Sequence, residues 1–173
     1  MTVAVLVLQV LVALAGLTLT VRGERRPVVA GGAVALVGAL VVAAALAWLG
    51  EAGSGEQQAA TLLAFLAAVT GGGPVATAVL HAADPAAVGV SGGPQDPDIL
   101  RGGAWIGVLE RAAVAGTLLA GWPEGLAVVL AVKGLGRFSE LRAPAAAERF
   151  IVGTLASALW AAACVGVAVL LRT

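Results

Sequence analysis

With 60% hydrophobic residues, 12% charged residues and a mean hydropathy of +1.02, the 173-residue chain cannot clothe a water-facing surface, for which about 25% charged residues is usual. The composition predicts an all-α, polytopic membrane helix bundle forming a single integral-membrane domain, 1–173. The formal net charge of zero argues against nucleic acid as a partner. The single cysteine, Cys164, excludes an intramolecular disulfide, and with His81 as the only histidine no zinc or multi-histidine site is available. Neither a metal nor a cofactor is implied.

A spanning helix needs about 20 apolar residues. Six runs meet or approach that length: 2–21, 28–49, 57–83, 103–121, 123–139 and 145–171. The first has no Lys or Arg ahead of its apolar stretch, so it reads as a retained helix rather than a signal peptide. Arg22, Arg25 and Arg26 follow it, and Pro27 suits the first turn of the second helix, where no N–H is needed.

The third run holds Thr70, Gly71, Gly72, Gly73 and Pro74 near its middle. Each glycine lowers helix propensity by about 1 kcal/mol relative to Ala. Pro74 removes the N–H that would bond Thr70. A break at Gly71–Pro74 is expected, with the half-helix after it aiming its N–H groups at an anion. A tight glycine crossing between helices is the structural alternative. A re-entrant hairpin built from 57–70 and 74–83 is a further topology, which the distribution of Arg and Lys opposes.

Loop 84–101 is rich in Pro and Gly. Its acids Asp84, Asp96 and Asp98 offer a cation site, although a solvated loop is the preferred reading. The fourth and fifth runs are joined by the turn Gly121–Gly125, which contains Trp122 and Pro123. Lys and Arg in the short loops set the orientation. Loops 22–27, 84–101 and 140–144 carry Arg and are expected inside. Loop 50–57 and the Trp122 turn carry none and are expected outside, with both termini. Trp48, Trp105 and Trp122 fall at run ends, where aromatic anchors sit.

Charges lie inside the later runs, and ionisable residues at such depth need partners. Glu110 and Lys133 come level when the fourth and fifth helices pair about their turn, so an ion pair is available to them. Arg111 lies near that height, with Arg137 there or one turn below. Lys133, Arg137 and Glu140 follow i, i+4, i+7 on one face. Gly103 with Gly107, and Gly153 with Ser157, have the small-xxx-small spacing of close helix contacts. Glu148 and Arg149 fall at the inner interface, within reach of Arg137, Arg142 or lipid headgroups. The candidate ligand-binding set is Glu110, Arg111, Lys133, Arg137 and Glu148, with Gly71, Gly72, Gly73 and Pro74 at similar height. Three cations against two carboxylates suit an anionic guest. A fully paired network that specifies helix register is the alternative use of the same residues.

Several patterns coincide: Trp105-Ile106-Gly107-x-Leu109-Glu110-Arg111, then Lys133-x-x-x-Arg137-Phe138-x-Glu140-Leu141, then Glu148-x-Phe150-x-x-Gly153-Thr154-x-x-Ser157. Together they resemble uncharacterised multi-pass membrane proteins of bacteria, and the Gly71–Pro74 segment resembles an actinobacterial branch of them. The similarity covers about the last 100 residues. It implies a bacterial inner-membrane location, and it carries no known activity and no catalytic residue. Three function classes compete. The first is a small transporter or binder of an anionic or lipid-like solute. The second is a structural or accessory protein whose charges only fix packing or dock a partner. The third is a membrane-embedded enzyme acting on lipid headgroups, for which the sequence offers no catalytic motif. The partners expected are membrane lipids and an anionic lipid or solute, with a homo-oligomer left open.

Overall fold

The computed structural model describes residues 1–22, 26–83, 103–138, 142 and 144–172. Runs of Leu, Val and Ala leave the backbone one way to satisfy its own N–H and C=O groups away from water. Among the described residues six helices form: α1 (Thr2–Arg22), α2 (Arg26–Trp48), α3 (Ser54–Ala83), α4 (Gly103–Leu119), α5 (Gly125–Gly136) and α6 (Pro144–Leu170). Among the described residues there is no strand. At 1.5 Å per residue, α1, α2, α3 and α6 are roughly 32, 35, 45 and 41 Å long. These four are long and apolar enough to cross a membrane. The other two are shorter than expected of spans: α4 has 17 residues and α5 has 12.

Val3, Val7, Leu11 and Leu14 of α1, with Val34, Val41 and Val42 of α2, face outward. Apolar surface this continuous suits lipid rather than water. The chain is a membrane protein. Trp48, Trp105 and Trp122 are exposed.

Helix α3 is the hub and packs against α1, α2, α4 and α6. Around it α1 touches α2, α2 touches α6 and α6 touches α4, but α1 and α4 do not meet. The backbone of α5 packs on α4 alone. Ala60, Ala64, Ala67 and Ala68 of α3 are fully buried, because small side chains let neighbouring helices come close.

Helix α3 runs unbroken from Ser54 to Ala83 with Pro74 inside it. The break expected at Gly71–Pro74 does not occur, and neither does the re-entrant hairpin. Neighbouring helices supply what the proline removes. Thr70 lacks its helical donor, and Thr20 Oγ1 of α1, bonded to Gly16 O at 2.8 Å, shares its hydrogen with the Thr70 carbonyl at 3.2 Å. The Thr70 hydroxyl donates across to Ala13 O at 3.0 Å. Arg111 Nε of α4 donates to Val69 O at 2.8 Å. Such interhelical bonds are how membrane helices tolerate an internal proline. The glycines serve contact, as in the crossing alternative. A Cβ on Gly16 of α1 would lie 2.6 Å from Gly71 Cα, and one on Gly71 would lie 2.5 Å from Trp160 Cζ2.

The ends of the helices follow local chemistry. Helix α3 starts at Ser54, ahead of the expected 57, because Gly53 N–H donates to Glu56 Oε2 at 2.9 Å, half of a capping box. Helix α4 ends in a Schellman motif: Gly121 adopts φ 71°, and Trp122 N–H reaches Thr117 O at 2.9 Å. Helix α5 stops at Gly136, short of the expected 139, and Arg137 caps it at φ −114°. Arg137 therefore does not continue one helical face with Lys133. Glu140, Arg25 and loop 84–101 with Asp84, Asp96 and Asp98 lie outside the described residues.

Candidate functional site

A cavity of about 510 Å³ opens beside the second half of α3, and all six helices line it. From α3 come Gly73, Pro74, Thr77 and Leu80, with Thr20 from α1 and Ser157 from α6. Three charged side chains reach it: Glu110 and Arg111 from α4 and Lys133 from α5. The rest of the lining is mainly apolar, including Leu19 and Val29.

Glu110 and Lys133 form an ion pair, as the α4–α5 register predicts. Their side chains are 17% and 19% exposed. Lys133 Nζ also stands 5.7 Å from the centroid of the Phe150 ring on α6, a cation–π distance. The short α5 is thereby tied to two neighbours through one ammonium group. A smaller space of about 10 Å³ borders the pair, next to Ser157 and Thr154. That is near the size of one water, and Thr154 Oγ1 beside it is buried without a partner among the described residues.

Arg111 is the deeper group, only 5% exposed. Its one hydrogen bond to the described residues runs from Nε to Val69 O. Glycines make room for it on two helices. A Cβ on Gly72 would lie 2.3 Å from Arg111 Cδ, and one on Gly107 would lie 3.1 Å from Nη1. Gly73 differs from these. A Cβ there would lie 3.8 Å from Thr20 Oγ1 and 3.9 Å from Arg111 Nη2. The bare Gly73 backbone therefore sits between the Thr20 hydroxyl and the Arg111 guanidinium.

Of the sequence-derived candidates, the structure brings together Glu110, Arg111, Lys133, Gly73 and Pro74 at the cavity wall. Gly71 and Gly72 lie buried beneath Trp160 and Arg111 instead of facing the cavity. Arg137 is not part of the lining, and Glu148 is exposed and outside it as well. The helix ends explain both: Arg137 lies past the end of α5, and Glu148 lies only one turn into α6. Sequence reasoning missed Thr20, Thr77 and Trp160. Trp160 is 4% exposed and donates from Nε1 to Ala67 O at 3.0 Å. Its position in the middle of the last apolar run, away from any interface, is the signal that marks it as a core residue.

No family model matches the chain, and no curated protein or solved structure matches it. What remains is the site itself: a membrane helix bundle with an open cavity bordered, among the described residues, by two cations and one carboxylate.

Proposed function

We propose that this chain binds an anionic, lipid-like solute in the cavity beside α3, as a small carrier in the bacterial cytoplasmic membrane. The observation that carries this reading is Arg111. It is 5% exposed, its hydrogen bond to the described residues runs from Nε, its neighbouring carboxylate Glu110 is shared with Lys133, and it borders a cavity of about 510 Å³. Guanidinium groups stay charged, and a charge at membrane depth calls for a counter-ion. Glu110 is shared between Lys133 and Arg111, so the described residues of the lining hold one positive charge in excess. The cavity volume falls within the roughly 300–1,000 Å³ range of ligand sites.

The test is thermal melting of the purified protein across anionic and zwitterionic lipids. Ligand at 100 times its Kd stabilises the folded form by about 2.7 kcal/mol. The wild type should show an anion-dependent rise that Arg111→Met lacks. Met removes the buried charge with an apolar chain, an exchange that folds often tolerate. Equal rises in both proteins would remove Arg111, and with it this reading.

A structural role is favoured by a different observation: Arg111 also ties α4 to Val69 O at the place where Pro74 disrupts α3. In that case Arg111→Met lowers the melting temperature and no anion changes it in either protein.

The orientation belongs to the same proposal: both termini outside and the cavity in the cytoplasmic half, beside the Arg-rich loops. Ser54→Cys should react with an impermeant maleimide only from outside, and Arg142→Cys only from the cytoplasm. The opposite pattern would invert the protein.

A further inference from the structure

The anion reading leaves the kind of anion open, and three observations narrow it. The first is charge. Among the described residues, Glu110, Arg111 and Lys133 are the charged members of the lining, so a single negative charge balances them and a second would overshoot. The second is the direction of the donors. Arg111 Nε is committed to Val69 O, which leaves the Nη1–Nη2 edge for a two-oxygen acceptor such as a carboxylate or phosphodiester. Thr20 Oγ1 lies across Gly73 from Nη2. The third is access. Helices α1 and α4 both line the cavity, yet their backbones do not approach closely. Leu17 and Val21 of α1 and Ile106 and Leu109 of α4 are exposed, so the gap between these helices is flanked by lipid-facing side chains. The volume of about 510 Å³ far exceeds what one small anion needs, given that a water takes roughly 30 Å³ of liquid.

Building on the anion-binding reading, we infer that the ligand is a monoanionic amphiphile whose two-oxygen headgroup sits over Gly73, on the Nη1–Nη2 edge of Arg111, and whose apolar chain leaves between α1 and α4. Gly73 is the position that keeps the head site open. It differs from Gly72, where a side chain would collide with Arg111. A methyl at residue 73 makes only ordinary contacts, yet it fills the space between the hydroxyl and the guanidinium.

The experiment measures binding to purified wild type, Gly73→Ala and Arg111→Met in a neutral detergent. The probes are oleate, phosphatidylglycerol, oleyl alcohol, dodecyl phosphate in its dianionic form, and acetate. Wild type should bind oleate or phosphatidylglycerol, and whichever binds identifies the head as carboxylate or phosphodiester. It should bind each of the other three at least tenfold more weakly. Gly73→Ala should melt no lower than wild type and lose at least tenfold in affinity, and Arg111→Met should lose binding. Undiminished affinity in Gly73→Ala, with loss in Arg111→Met, would overturn the head site but leave the anion reading standing. Acetate bound as tightly as oleate would remove the chain, and dodecyl phosphate bound more tightly would remove the monoanion. Binding of no anion at all would end both readings.

Discussion

Gln9 and Arg111 are the two most instructive buried polar side chains of this bundle, and their surroundings are opposite. Gln9 of α1 is 1% exposed, and neither its amide nitrogen nor its amide oxygen has a partner among the described residues. It lines neither cavity described above. Val5 and Val12, one turn before and after it on α1, are also buried. Arg111 is nearly as buried, but one nitrogen is bonded and the others face open volume. An orphan polar group against packed apolar atoms is only a cost, of about 1–3 kcal/mol. A cation beside a cavity, with a carboxylate it must share, is a place where a ligand can supply a further partner. The same inventory of small residues builds both regions: alanines close the first half of α3, and glycines beside Pro74 make room in the second.

The contrast can be sharpened from either side. The largest effect is expected at the cavity wall. Glu110→Ala or Lys133→Ala each strands a charge and should lower stability by about 3 kcal/mol. The double variant should lose less than the sum, because each single change carries the penalty of the abandoned partner. A melting series in detergent reads this directly, and strict additivity would mean that the two side chains are not coupled. A smaller effect of opposite sign is expected in the packed region. Gln9→Met removes two unsatisfied atoms at similar volume and should raise stability by about 1 kcal/mol. A lower melting temperature would show that the amide has a partner, such as a buried water, and the two regions would then differ less than they do here.

Much of the bundle was legible before any coordinates. Apolar length alone marked six helices, because lipid leaves a backbone few other choices. The Glu110–Lys133 pair was legible too: the turn at Trp122 and the rise per residue bring those two positions level. The fate of Gly71–Pro74 was not. Local propensity counts only what a residue does to its own helix, and on that count the segment should break. What decided otherwise came from other helices: Thr20 on the Thr70 carbonyl, Arg111 on the Val69 carbonyl and Trp160 against Gly71.

Membership of the site divides in the same way. Charge inside an apolar run identified Glu110, Arg111 and Lys133, since the cost of burying charge is a property of the residue itself. Arg137 and Glu148 carried the same signal and yet lie outside the cavity lining, because α5 ends three residues early, before Arg137, and Glu148 lies only one turn into α6. Neutral contributors such as Thr20 and Gly73 carry no such signal. Gly73 differs from Gly72 only in what lies across from it: an arginine stem at one and open space between two polar groups at the other. Composition and rise per residue thus settle which segments are helical and which charges need partners. Which of them meet around an open volume depends on side chains arriving from elsewhere in the chain, and that is settled only once the helices pack.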